Sequence, residues 1–397
     1  MNGICFMPDG KKKIGMFGKI NEKMIYMDNA ATTWPKPPCV TEAMTDAVIR
    51  FGGNPGRGGH RLALAAGELL YEARDRTASF FGCDDPFRAV FTSNITMAIN
   101  LVLRGFLTAD DHVLISPMDH NAVMRPLTAM GISCDVLPGS ADGKVDPASI
   151  PPLIRPNTKL VIICHESNVN GVVQPLRAIG KIVRENGLFL LADCAQSAGH
   201  IPIDINDDET DFICFTGHKG LLGPTGTGGV IFGDRVDPEK LKPLVYGGTG
   251  SLSESYEQPG FMPDHLESGT PNVCGLAGLN AGIKWIEEQR IENIAEKSGK
   301  LITKLRSGLQ DIKGIVCYSG EGSVLSVSID GKDNGEIAMA LEEKYGIMTR
   351  IGLHCAPLAH RTLGTFPDGT VRFAVSPFTT EEDIDSCIRA CGELAER

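Results

Sequence analysis

Short apolar runs at 113–115, 160–164, 188–192, 212–215 and 230–232 are each bounded by Gly, Pro, Asp or Asn, and amphipathic stretches lie between them. This alternation is the tightest constraint on the fold. Runs without polar alternation read as strands buried on both faces, the pattern of a mostly parallel sheet. Parallel neighbours need long crossovers, and the stretches 62–80, 96–103 and 177–185 are each long enough for a crossover helix. The fold class is therefore α/β. After about residue 271 the texture changes to helices at 277–290 and 291–310, a strand at 324–329, a helix at 336–345, a strand at 371–375 and a helix from 381. That reads as a smaller α+β unit. The expected organisation is a poorly ordered extension at 1–23 with no assigned function, a large unit at 24–275 and a small unit at 276–397.

Composition excludes several classes of function. A formal net charge of −11 without a Lys/Arg-rich stripe argues against nucleic acid or an anionic membrane as partner. No apolar stretch is long enough to span a bilayer, and no apolar segment follows Lys11–Lys13 as in a secretory leader. The 12 cysteines are scattered, with no CxxC pair and no zinc-finger spacing. Cys164 and Cys214 lie within strand-like runs, where a thiol behaves as a small hydrophobe. A reducing, cytoplasmic location follows as an expectation. Cys387 and Cys391 lie one helical turn apart, which suits helix packing better than metal binding.

The chemistry concentrates in two segments, 190–200 (LLADCAQSAGH) and 211–229 (DFICFTGHKGLLGPTGTGG). Asp193 follows an apolar strand at its carboxyl end, where α/β sheets place ligands. A second strand runs into Thr216, His218 and Lys219 and then a Gly-rich loop. An aldehyde cofactor needs a lysine to form its Schiff base. It also needs a carboxylate to keep its ring nitrogen protonated. Lys219 and Asp193 supply that pair. Taken singly, Asp193 or Thr96 would read as a turn or helix-cap residue, and His120 as a satisfied polar side chain.

From residue 24 to the C-terminus the sequence resembles the class V aminotransferase-like pyridoxal-phosphate enzymes, and within them the cysteine desulfurases and selenocysteine lyases. The resemblance rests on YMDNAATT (26–33), MDHNA (118–122), HESNVNG (165–171), DCAQSAGH (193–200), TGHKGLLGPTG (216–226), ESGTPN (267–272) and RIGLHCAP (350–357), in the family's order. It implies the aspartate aminotransferase-like fold type I, with pyridoxal 5'-phosphate as cofactor. By the same resemblance Lys219 carries the cofactor, Asp193 pairs with the ring nitrogen and Gln196 bonds the ring's phenolic oxygen. His120 stacks on the ring and assists proton transfer, and Asn168 contacts substrate or ring oxygen. Thr96, Thr216 and His218 hold the phosphate, with Thr270 reaching in from the second subunit of a homodimer.

The resemblance makes Cys355 the acceptor of sulfur or selenium, since removing sulfur from an amino acid requires a nucleophile at Sγ and a thiolate can store it as persulfide. His354 and Arg350 are the nearby groups that could favour the thiolate. Arg372 is the implied clamp for the substrate carboxylate, with Arg350 and Arg57 (in NPGRGGH, 54–60) as further substrate contacts; Asn54 and His60 in that loop are explained nearly as well by loop geometry. The spacing from Arg350 to Cys355 is closest to the Suf-type subgroup, in a less characterised branch. SNIT (93–96) leaves only Thr96 as a matching hydroxyl, and His360 has no assigned role. The implied substrate is L-cysteine or L-selenocysteine, with a protein that accepts the sulfur or selenium. An aminotransferase or another lyase remains an alternative, as does a non-catalytic relay or scaffold, against which the intact Lys219/Asp193 pair argues.

Overall fold

The computed structural model describes residues 24–56 and 58–396. The expectation for 1–23 and the assignment of Arg57 lie outside the described residues. A seven-stranded sheet forms the centre of the large unit. Across it, the strands run in the order Ala89–Thr92, Gly228–Phe232, Phe212–Thr216, Phe189–Asp193, Thr158–Cys164, His112–Ile115, Ser133–Val136. Only Gly228–Phe232 runs against its neighbours; the other adjacent pairs are parallel. The α/β expectation holds.

Both faces of the sheet are buried, which is why its strands read as uninterrupted apolar runs. Val161, Ile163, Leu190 and Ile213 point into one core layer. That layer is closed by the helices Arg61–Phe80, Leu176–Glu185 and Val273–Gln289 through Ala73, Ile179, Leu279 and Ile283. Leu160, Ile162, Leu191 and Phe212 point the other way, against the helices Ile95–Phe106 and Asn121–Met130. The pair Gly228–Gly229 lets the antiparallel strand insert closely, since a Cβ on Gly229 would lie 2.4 Å from the Val90 carbonyl.

The C-terminal residues form an antiparallel sheet of Arg350–Gly352, Thr370–Ala374, Val324–Ile329 and Ile315–Ser319. It is backed by the helices Ile291–Gln310, Asn334–Tyr345 and Glu381–Ala395. Cys387 and Cys391 are buried in that core, and no cluster of three metal-ligating side chains occurs among the described residues. Two pieces of chain depart from the expected division at residue 276. The helix Val273–Gln289 packs with the large unit, whereas Ile25 and Met27 belong to the C-terminal core. Ile25–Tyr26 pairs in parallel with Ile347–Met348.

This makes YMDNAATT a strap between the two cores. Asp28 pairs with Arg372, and Asn29 Nδ2 donates to the Ala374 carbonyl at 2.8 Å. Farther along, the Thr33 N–H and Thr32 Oγ1 each donate to the His218 carbonyl at 3.1 Å.

Candidate active site

Strand ends converge on a cavity of about 530 Å³ lined by Thr96, His120, Glu166, Asn168, Asp193, Gln196, Thr216, His218 and Lys219 among others. Asp193 closes the strand Phe189–Asp193, Thr216 closes Phe212–Thr216, and Lys219 follows in the next turn. This is the carboxyl edge of the parallel strands, where the backbone leaves the sheet and side chains are free to converge. Thr96 enters from the first turn of Ile95–Phe106, whose N-cap Asn94 takes the Met97 N–H. The remaining N–H groups of that turn, with the positive end of the helix dipole, suit an anion.

Part of the Lys219 side chain opens to the cavity, but its surroundings are protein. Burial, with Arg372 adding to it, brings its pKa down to about 8, against the opposing pull of Asp193. About a tenth is thus free amine at pH 7, far more than for a lysine of ordinary pKa. Burial raises the Asp193 pKa, countered by the Ala195 N–H on Oδ1 at 3.0 Å and by Lys219. His120 is the N-cap of Asn121–Met130, and its Nδ1 accepts from the Ala122 N–H at 3.0 Å. The proton of the neutral ring therefore sits on Nε2. Burial first, then the Lys219 and arginine charges, lower the His120 pKa to about 4. At neutral pH His120 is a neutral hydrogen-bond donor.

These residues fit an aromatic aldehyde carrying a phosphate. His218 Nδ1 and Asn168 Oδ1 are buried polar atoms with no partner in the protein, facing a cavity with an amine at its base. Gln196 Nε2 spends one hydrogen on the Ala30 carbonyl at 3.0 Å and retains another. Thr216 Oγ1 makes only a long bond, 3.4 Å, to the Thr227 carbonyl.

Arg372, Arg350 and Cys355 come from the small unit. Arg372 is 2 % exposed; its Nη2 donates to Asp28 at 2.7 Å and its Nη1 to the Asn168 carbonyl at 3.1 Å, while Nε has no partner. Arg350 lies directly opposite Arg372 in the antiparallel pair. Two guanidinium groups on one face repel, and a carboxylate ligand offsets that repulsion. Cys355 is exposed, and its carbonyl accepts from the Asn121 N–H at 2.8 Å. Asn168 Nδ2 donates to the His354 carbonyl at 2.7 Å. One residue thus joins the cavity wall, the Arg372 guanidinium and the cysteine segment.

His354 does not supply the cation expected beside the thiol. It is 4 % exposed, with Nε2 on Thr370 Oγ1 at 3.2 Å, and burial together with Arg372 lowers its pKa to about 2. His360, unassigned from sequence, is wholly buried with Nδ1 on Thr365 Oγ1 at 2.7 Å, its ring 5.5 Å from that of His354. Both are structural supports of the segment, and Arg350 is the cationic candidate that remains.

Thr270 is exposed and lies outside the Lys219 cavity of its own chain, where Asn54 Nδ2 donates to its hydroxyl at 3.4 Å. His60 caps Arg61–Phe80 through the Ala63 N–H. Three acids escaped the sequence reading: Asp28 on Arg372, Glu166 in the cavity wall, and Asp119, fully buried with its pKa raised by burial and by Asp193. Each stands inside a motif already singled out, and an acid next to an apolar strand end was the available signal.

The aminotransferase class-V family profile matches residues 25–387. A probable cysteine desulfurase of Methanothermobacter thermautotrophicus is 35 % identical over 383 residues, 94 % of each chain. Among solved structures, the apo cysteine desulfurase of Thermococcus onnurineus superposes with a TM-score of 0.87 at 30 % identity, covering 94 % of this chain and 95 % of that one. The cysteine desulfurase CsdA of Escherichia coli, solved as an S-sulfonic acid, gives a TM-score of 0.84 at 28 % identity over 94 % of each chain.

Proposed function

The chain belongs to the aminotransferase class-V family, and from that premise we propose that it is a pyridoxal-phosphate-dependent cysteine desulfurase that moves the sulfur of L-cysteine onto Cys355 and releases L-alanine. The observation that carries this reading is the bond from Asn168, in the wall of the Lys219 cavity, to the carbonyl beside an exposed thiol. When bound, the cofactor supplies an electron sink that acidifies the substrate Cα–H.

The rest falls to the chain's own side chains. Lys219 would hold the cofactor and then take the Cα proton on Nζ, for which a pKa near 8 is suited. Asp193 would hold the proton of the ring nitrogen, and Thr96, Thr216 and His218 the phosphate. Arg372, with Arg350 opposite, would fix the substrate carboxylate and so aim the side chain at Cys355. His120 would donate from Nε2. Cys355 Sγ would form the new S–S bond as the substrate Cβ–S bond breaks, and the carbon skeleton would gain protons to leave as alanine. The thiol must start each cycle free, which suits a reducing compartment; the described cysteines are all free. We extend the proposal to a homodimer in which Thr270 serves the neighbouring site, and to a protein that collects the persulfide sulfur.

The test is Cys355→Ser assayed on L-cysteine and L-selenocysteine, with mass spectrometry of the peptide containing residue 355. The wild type should carry an extra sulfur there after one turnover. The variant should keep the visible cofactor band but lose sulfide release from cysteine. Full activity in the variant on cysteine would overturn the persulfide step; selective retention on selenocysteine would reassign the substrate.

A further inference from the structure

Glu166 has no role in the chemistry above, yet it stands in the wall of the same cavity. It follows the strand Thr158–Cys164 and is 1 % exposed. Oε1 is pinned by the Ser323 N–H at 2.7 Å and the Ser323 hydroxyl at 2.8 Å, while Oε2 has no partner in the protein. Burying a carboxyl with one bare oxygen costs free energy unless something else engages it. Sequence adds a second point: Glu166 is the acid of HESNVNG, in the same short loop as Asn168, whose Oδ1 is also bare.

The charges around it identify what would engage it. Burial raises the Glu166 pKa above its ordinary 4.5; the two Ser323 bonds and the Lys219 charge oppose the rise. Among neighbouring groups, Cys164 lies just upstream, with Asp193 on the adjacent strand end and Lys219 on the next. Arg372 and Arg350 act on Lys219 and work against a further positive charge there. An amino acid held by its carboxylate on Arg372 brings its own ammonium into that company. An ammonium cannot act as a nucleophile until it gives up a proton, and both arginines make the cavity a poor place to keep one.

We propose that Glu166 Oε2 is the acceptor for the α-ammonium proton of the incoming amino acid, a proton-transfer residue of the desulfurase reaction. The ammonium N–H bond breaks, the O–H bond forms on Oε2, and the substrate is left as the free amine. At the end of the cycle the product amine takes the same proton back and leaves as an ammonium, so the carboxylate is regenerated. No oxidant or further reactant is needed. Asn168 Oδ1 accepts a second N–H of the same amine and orients it. The proposal rests on the cofactor reading above.

The experiment is a spectral titration of the holoenzyme with L-alanine, the product, which reports binding through the visible cofactor band without turnover. In the wild type the apparent Kd should change little between pH 7 and 8.5. In Glu166→Gln, which keeps the shape and the Ser323 contact but cannot take a proton, binding at pH 7 should weaken by roughly tenfold and recover as the pH approaches that of the free amine. The kcat/KM for cysteine should acquire the same slope. Ser323→Ala, which removes the hydroxyl bond to Oε1 but keeps the backbone N–H bond and the acid, should make the carboxylate more basic and raise by a smaller step the pH at which binding falls off, and it decides the matter if Glu166→Gln loses its cofactor. Parallel pH profiles in wild type and both variants would overturn the assignment. A wild type with no visible band would remove the reading beneath it, a result readily told apart from parallel profiles.

Discussion

The Lys219 cavity and the Cys355 segment are neighbours made in opposite ways. The cavity is made from strand ends of a sheet buried on both faces, which holds its groups in place. Cys355 is exposed, and it and His354 adopt consecutive left-handed backbone angles, φ +58° and +47°. Such residues cost about 1–3 kcal/mol each and persist where the surroundings over-determine them. The surroundings here are the cavity's own wall: Asn121 holds the Cys355 carbonyl, and Asn168 holds the His354 carbonyl. The thiol's position is thus set by the site it serves and very little by its own segment. A thiol pinned at both neighbouring carbonyls has short reach, so the acceptor protein proposed above would have to come to it.

The largest effect should separate the two regions cleanly. Lys219→Ala should remove the visible band and lower desulfuration by about 10²–10⁴-fold, while iodoacetamide labels Cys355 at the wild-type rate. Cys355→Ser should give the mirror result, an intact band and no persulfide. If Lys219→Ala also altered thiol labelling, the regions would not be independent.

Asn168→Ala attacks the join instead. It removes the bond to the His354 carbonyl and the side chain that flanks Arg372's carbonyl partner. Sulfur transfer should fall about 10–100-fold from misplacement of the reacting groups, with faster Cys355 labelling as the segment loosens. Slow transfer with unchanged labelling would confine Asn168 to ligand contact.

A third measurement concerns the cavity alone. Only the free amine of Lys219 can capture the cofactor's aldehyde, and its pKa is lowered to about 8. The rate of cofactor loading into apoprotein should climb about tenfold from pH 7 to 9 and then level. A lysine with an ordinary pKa would climb about a hundredfold over that range without a plateau. A continuing rise would show that burial does not depress this amine.

The two regions also differ in how far they were legible. Lys219 and Asp193 could be named because each follows an apolar strand and a parallel sheet gathers its carboxyl ends, whereas Gln196 and His218 were named only through the family resemblance. Strand Ser133–Val136 escaped notice because an edge strand of Ser, Cys, Asp and Val, part-exposed, carries no apolar run. Helix Asn121–Met130 was obscured by Pro126 within it. His354 was misjudged for a different reason: adjacency in the chain said nothing about which way the ring turns, and it turns away to Thr370. Asp28 could not be paired with Arg372 from sequence, since 344 residues separate them.

The smallest effect tests the His354–Thr370 contact. Thr370→Val removes the hydroxyl on His354 Nε2 while keeping the shape of a wholly buried strand residue. It leaves a buried ring nitrogen unpaired beside His354 Nδ1, which already lacks a partner. Loss of one such bond costs about 1–3 kcal/mol of stability. Because the two carbonyl bonds from Asn121 and Asn168 remain, Cys355 should hold its place, and sulfur transfer should drop only about threefold with an unchanged cofactor band. Rescue by Thr370→Ser, which restores the hydroxyl, separates the hydrogen bond from packing. A loss as large as that of Asn168→Ala would reverse the comparison, making the small unit and not the cavity wall the principal support of the thiol.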